Sequence, residues 1–350
     1  MMRSWPSTAT LPPSPRPHED LLAVGAGGDS REMTGPPAHG SCTDPECSLD
    51  NTGVVLRREA GYRREDQAAS FSYELRVCTR CGMGFVHPVP PAEVMACLYT
   101  SEYAYHEAPA NHPSLEAGSF KYKLARLRYL PLLAPTVANR ARALVAILAE
   151  ALARKTITLT LGIPLAMPPG SRILDYGHGT GAWLLVMKSL GYSRLAGYDI
   201  AANAARGRDL EVQGIQVIPT GDLSNVEPAC FDCVRLEHVF EHLPDPLTAL
   251  RQIHRLLRPA GLLLMTFPTI YPWLPVEELP SSPFLAYLQL PIHLAHHSVR
   301  SATRLVGAAG FQLAVLRITR RERFITLMAR KVGNGDGPDR RRHAAAPAPA

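Results

Sequence analysis

The chain has 350 residues, 46% of them hydrophobic and 19% charged, so it can bury a real core and has room for two domains. Its formal net charge of +6 is mild and scattered over short runs such as Arg320, Arg321 and Arg323, which permits a nucleic-acid partner without indicating one. Seven cysteines and no secretory signal point to a reducing, cytoplasmic setting, while prolines at 259, 268, 272 and 275 interrupt the uncharged run Pro259 to Val276 and exclude a spanning helix there.

In chain order, residues 1–37 are rich in Pro, Ser, Gly and Ala without periodicity and are expected to be disordered, as is the tail 333–350. Residues 38–110 are expected to form a small metal-stapled module. Cys42 and Cys47 stand as C-x4-C, and Cys78 and Cys81 as C-x2-C after the strand-like Phe71 to Val77. Two such knuckles present four thiolates to one tetrahedral zinc and leave no open position, so the role would be structural. Two unrelated cysteine pairs, or a redox C-x-x-C, are the alternatives, although the redox reading needs a βαβ setting and this stretch looks like a zinc-ribbon hairpin. Cys97, Cys230 and Cys233 read as buried thiols.

Residues 111–168 are expected to be a helical linker and cap. Ala138 to Arg154 is its clearest part, with Ala141, Leu144, Val145, Leu148 and Leu152 on the face expected to pack inward. Thr156 to Pro169 reads as an apolar, proline-interrupted connector. A nucleotide-type domain is then expected over 169–332.

Its centre is Ser171 to Ile200, SRILDYGHGTGAWLLVMKSLGYSRLAGYDI, which reads as strand, glycine turn, helix, strand. Gly177, Gly179 and Gly181 let backbone approach a ligand closely, and Asp199 arrives at the carboxyl end of the second strand, where an acidic side chain accepts ribose hydroxyls. The spacing is G-x-G-x-G rather than the dinucleotide G-x-G-x-x-G, and Asp175 just before it would repel a pyrophosphate but suits a cationic cofactor. S-adenosylmethionine is therefore favoured over NAD.

Further on, Ile215 to Ile218 is a third strand followed by Gly221-Asp222-Leu223, where the acidic residue is a candidate adenine contact or simply a turn residue. A fourth strand, FDCVRL, runs into EHVFEHLPDP. Asp245 should cap a helix that has Pro246 at its first position and Leu247, Leu250, Ile253 and Leu257 in one stripe, and Leu262 to Phe267 follows as the fifth strand. Glu237, His238, Glu241 and His242 thus lie where α/β sheets bind ligands, although a Glu and His pair on a helix is as readily structural. A zinc-protease reading fails because residue 239 is Val where the general-base Glu is required. Pro268 to Ile292, with six prolines and four aromatics, is a candidate acceptor-pocket insertion or a packed surface loop. Ser298 should cap a helix ended by Gly310, and two strands, one an antiparallel edge, close the domain.

ILDYGHGTG followed by YD resembles the first two motifs of class I S-adenosylmethionine-dependent methyltransferases, which usually carry a small residue or Cys where this chain has His178. The EHVFEHLPDP block is similar to their motif after the fourth strand, with RPAG in place of the usual basic-Pro-Gly-Gly. PIHLAHHS is similar to a family sequence in which an aromatic usually stands at His297. CTRCGMGFVHPVPPAEVMACLYTSEY resembles a module that precedes the methyltransferase domain in bacterial small-molecule and sugar methyltransferases, where it helps cover the acceptor site. Tyr99, Tyr103 and Tyr105 are then candidates for the cover or for packing. The resemblance implies an α/β, Rossmann-like domain of seven strands preceded by a zinc-ribbon-like module and a helical linker. It implies cofactor contacts from Asp175, Gly177, Gly179, Gly181, Asp199, Ile200, Asp222, Leu223 and Glu237, zinc on Cys42, Cys47, Cys78 and Cys81, and methylation of oxygen or carbon on a small-molecule acceptor. For an acceptor that needs a base, His293 is the first candidate, then His238, then His297. An RNA methyltransferase, and a protein of this fold that binds cofactor or a partner without catalysis, are the alternative readings.

Overall fold

The computed structural model describes residues 52–64, 67–102, 120–152, 159–200, 204–269, 288–319 and 324–332. The two tails expected to be disordered, Cys42, Cys47, Tyr103, Tyr105 and most of the proline-rich insertion lie outside these residues.

Among the described residues two sheets organise the chain. The larger has seven strands: β4 (Arg172–Tyr176), β5 (Arg194–Tyr198), β6 (Gln216–Ile218), β7 (Phe231–Glu237), β8 (Leu257–Pro268), β10 (Phe311–Thr319) and β11 (Phe324–Lys331), in the order β10-β11-β8-β7-β4-β5-β6. The five from β8 to β6 are parallel, and β11 and β10 add antiparallel pairs. The strands alternate faces. Leu174, Ala196 and Val234 join a core with α7 (Pro246–Leu256) and α8 (Val299–Ala308), whereas Ile173, Leu195 and Cys233 join a second core with α5 (Ala182–Ser189) and α4 (Leu159–Ala166). The chain winds outward from β4 through β5 to β6, then returns to place β7 on the other side of β4. That reversal opens a crevice at the carboxyl ends of the strands.

Caps fall where the side chains demand. Asp245 accepts from Thr248 N at 3.0 Å with Pro246 at the first helical position, and Ser298 accepts from Ser301 N at 3.0 Å. In the RPAG turn Ala260 adopts φ +59°, the backbone region that glycine occupies without strain.

The smaller sheet has the order β1-β2-β3-β9: β1 (Thr52–Arg64), β2 (Gln67–Cys78), β3 (Gly84–His87) and β9 (Ala295–His296). The first three strands come from the N-terminal module and the fourth from far along the chain. Gly84 pairs with His296 and Phe85 with Ala295, Val86 N donates to Leu294 O at 2.9 Å, and the Ser298 hydroxyl donates to Cys81 O. Cys78 and Cys81 lie buried at the tight turn between β2 and β3, packed with Met83 and Phe85.

Three expectations need correction. The helical stretch divides into α2 (Phe120–Leu133) and α3 (Val137–Leu152), and α3 turns the predicted inner face outward: Leu144, Val145 and Leu148 are more than half exposed while Ala143 and Ala146 are buried. The connector before the domain is α4, whose Ile163, Leu165 and Ala166 enter the core despite Pro164. Cys97 is half-buried rather than buried. Among the described residues no helix is long and apolar enough to cross a membrane.

Candidate functional site

A cavity of about 540 Å³ opens at the crevice between β4 and β7, within the range of small-molecule sites. One end is the glycine turn after β4, where Gly177, Gly179 and Gly181 all have positive φ. The turn is pinned to β5, since Gly177 N donates to Tyr198 O at 2.6 Å and Gly179 N to Asp199 Oδ2 at 2.8 Å. A Cβ on Gly177 would come within 2.2 Å of Val239 Cγ2, so the β4 turn and the segment after β7 can meet only because residue 177 is glycine.

Behind the turn lies a buried ion network. Arg235 donates to Asp175 Oδ1 at 2.7 Å and to Glu237 Oε2 at 2.9 Å, and its guanidinium lies 4.5 Å from the Trp183 ring centroid. Burial pushes the Asp175 carboxyl up, and Arg235 works against that rise. Asp175 is therefore not the lone anion that the sequence reading made of it. The attraction for a cation belongs to the cavity as a whole, whose lining among the described residues carries four carboxylates (Asp175, Asp199, Glu237 and Glu241) against the guanidinium of Arg235. That donor set, the close-approach turn and the volume fit S-adenosylmethionine, whose sulfonium and ammonium are cationic.

His178 occupies the position where a smaller residue was expected. Its Nδ1 lies 3.1 Å from Gly179 O, and its ring packs over Gly197, where a Cβ would come within 2.8 Å of it. The glycine in β5 is what makes room for the imidazole.

The other end of the cavity gathers histidines. His238 follows β7 with φ +54°, its backbone N–H donates to Thr266 O at 2.9 Å, and its ring meets Phe324 edge-on at 4.7 Å. A short 3₁₀ helix, Phe240–His242, then buries Glu241 and His242. His293 arrives from the segment after Gln289, itself at φ +48°, and packs edge-on against His242 at 4.7 Å. Burial works to lower the His238 pKa, but its pairing with Glu241 outweighs this and holds it above the ordinary value. Burial, with His242 and His296 nearby, pushes His293 down to about 2.

Of the residues singled out from sequence, Asp175, Gly177, Gly179, Asp199, Ile200, Glu237, His238 and His293 line this one cavity. Gly181 sits behind the turn against Leu210, Leu223 is buried in the core, and Asp222 opens a 3₁₀ turn, Asp222–Asn225. His297 is not in the lining: it stacks on Phe240 at 4.1 Å, fully buried. Trp183, Arg235 and Gln289 also line the cavity without having been singled out. Only Arg235 left a signal, as the one cation inside the apolar strand FDCVRL.

A family model described as a methyltransferase domain matches residues 139–315. A ubiquinone biosynthesis O-methyltransferase of Xanthomonas campestris pv. campestris is 36% identical over 104 residues, covering 28% of this chain and 43% of the relative. One of the same name from Neisseria meningitidis is 30% identical over 107 residues, covering 28% and 44%. The chain thus spans less than half the length of these relatives. Among solved structures, an S-adenosylmethionine-dependent methyltransferase from Mesorhizobium loti is 20% identical with a TM-score of 0.39, covering 47% of this chain and 94% of that one.

Proposed function

This chain belongs to the family of methyltransferase domains matched over residues 139–315, and on that premise we propose that it methylates a small-molecule acceptor, at oxygen, with S-adenosylmethionine as donor. The observation that carries the reading is the cavity itself, whose lining runs from the Gly177-to-Asp199 turn to a histidine-lined end. The bound cofactor supplies an electrophilic methyl group on a sulfonium. Asp199, fixed by Gly179 N–H, is placed to accept ribose hydroxyls, and the excess of carboxylates favours the cationic end. Trp183, Val239 and Phe324 present apolar surface to the cavity, and positioning would be the main catalytic contribution. Oxygen is favoured as the acceptor atom by the names of the relatives, and the acceptor itself would enter beside His238 and His293.

For the proton of an acceptor hydroxyl, His238 replaces His293 as first candidate. An imidazole held at a pKa of about 2 is a poor base at neutral pH, whereas His238 is held above its ordinary value. His297 is a packing residue on this reading. In the N-terminal module, Cys42 and Cys47 would join Cys78 and Cys81 around a structural zinc. The buried Cys78–Cys81 turn, with Gly82 at φ +71° and Gly82 N donating to Cys78 O at 2.8 Å, has the tight geometry such a knuckle needs.

Calorimetry with S-adenosylmethionine and with NAD tests the cofactor. Binding of the first alone, weakened at least tenfold in Asp199→Ala, is expected. Binding of NAD, or of neither by folded protein, would sink the reading.

A further inference from the structure

We infer that Glu241, His242 and His293 form a divalent-metal site at the acceptor end of the cavity, with open coordination positions facing the acceptor. All three side chains are buried, and their candidate ligand atoms lie within 4.8 Å of one another. The set is two imidazoles and one carboxylate. That combination suits first-row transition ions such as zinc, iron(II) or cobalt(II) better than magnesium or calcium, and three protein ligands leave room for a substrate oxygen.

Three further observations point to an ion. Both carboxylate oxygens of Glu241 are buried without a hydrogen bond in the structure, and His238 Nδ1 stands 3.5 Å from Oε1. A carboxylate at 0% exposure whose one identified partner stands 3.5 Å away is a costly arrangement in a folded protein, and a bound cation would offset that cost. His293 Nδ1 is likewise buried without a partner. His242 is oriented for ligation: its Nδ1–H donates to the backbone oxygen of Ile292 at 3.0 Å, since a carbonyl can only accept, which makes Nε2 the ring nitrogen that would ligate.

Local backbone supports the same reading. His238 and Gln289, which introduce the two ligand-bearing segments, both hold positive φ, a strain that persists where the surroundings fix a functional geometry. The H-x-x-x-H spacing that fails as a zinc-protease motif does not bear on this site. Its third ligand comes from the segment that also supplies β9.

The chemistry rests on the methyl-transfer reading, although the site does not. A cation here would bind the acceptor's hydroxyl oxygen and acidify it. The O–H proton would pass to His238 or solvent, the O–CH3 bond would form as the C–S bond breaks, and that electron pair would remain on sulfur. The acceptor class implied is a hydroxylated molecule with a second oxygen close by, able to chelate the ion.

The test is titration of the full-length, zinc-replete protein with cobalt(II), read in the visible and near ultraviolet. One equivalent is expected to give the weak visible bands of nitrogen and oxygen ligation without thiolate charge-transfer bands. In Glu241→Gln and His293→Gln the cobalt affinity should fall by at least about 100-fold, the upper end of what losing an outer-shell partner alone costs. If either variant fails to fold, the wild-type spectrum and a cobalt-dependent rise in Tm carry the test. No binding, thiolate bands alone, or unchanged affinity in folded variants would overturn the site. Calorimetry with S-adenosylmethionine separates the two readings: cofactor binding without cobalt binding removes the metal alone, and cobalt binding without cofactor binding removes methyl transfer alone.

Discussion

A Cβ on Gly197 would lie 2.8 Å from the His178 ring and 2.9 Å from Leu184 Cδ1, so the two residue choices are coupled across the β4–β5 pair. Gly197→Ala should cost about 1–3 kcal/mol by overpacking. His178→Cys should recover part of that loss, a non-additivity that a double-mutant cycle by denaturant unfolding would read. His297 makes a second residue-scale case. It is fully buried, stacked on Phe240 and edge-on to Phe267, and burial pushes its pKa down from 6.5 to about 3. An unfolded chain takes up the proton below pH 6.5 and the folded chain does not until near pH 3. The stability is therefore complete above pH 6.5 and is lost as pH falls through that window. His297→Phe keeps the stacking and removes the titration. Its Tm should fall less between pH 7 and pH 4.5 than that of the wild type, and an equal fall would count against this role.

At the scale of elements, the helices with chemical end signals were legible in the sequence and those without were not. Asp245 with Pro246 fixed the start of α7, and Ser298 that of α8, because an orphan N–H can be matched to one side chain. The face of α3 was misread because its apolar residues surround more than one side, so periodicity alone could not choose between Leu144 and Ala146. The small residues face inward, where neighbouring elements approach closely. Leu144→Glu should change stability by less than about 0.5 kcal/mol, whereas Ala146→Leu should destabilise by about 1–3 kcal/mol, and thermal melts would distinguish them. The candidate site divides in the same way. The glycine turn and Asp199 were readable because their spacing is local. The cluster at the far end was not, because His242 and His293 meet only through the tertiary fold and the sequence offers histidines in excess.

At the scale of the whole molecule, the segment from Gln289 to Ser298 serves both sheets. His293 lines the cavity, Ala295 and His296 form β9 of the smaller sheet, and Ser298 caps α8 while its hydroxyl donates to Cys81 O. Ser298→Ala therefore removes a cap and a tie between distant parts of the chain, whereas Asp245→Ala removes a cap alone. The first should cost about 2 kcal/mol and the second about 1 kcal/mol, measured by urea unfolding. Equal losses would mean that the contact with Cys81 contributes nothing.

That shared segment also sets an order of events during synthesis. β1, β2 and β3 leave the ribosome early, but the strand that covers β3 lies more than 200 residues downstream, as the separation of 217 between Ser298 and Cys81 shows. Until then β3 presents an open edge, and open edges recruit other chains. The nascent protein thus carries this open edge through most of translation, and covers it only when the segment that also brings His293 to the cavity has emerged.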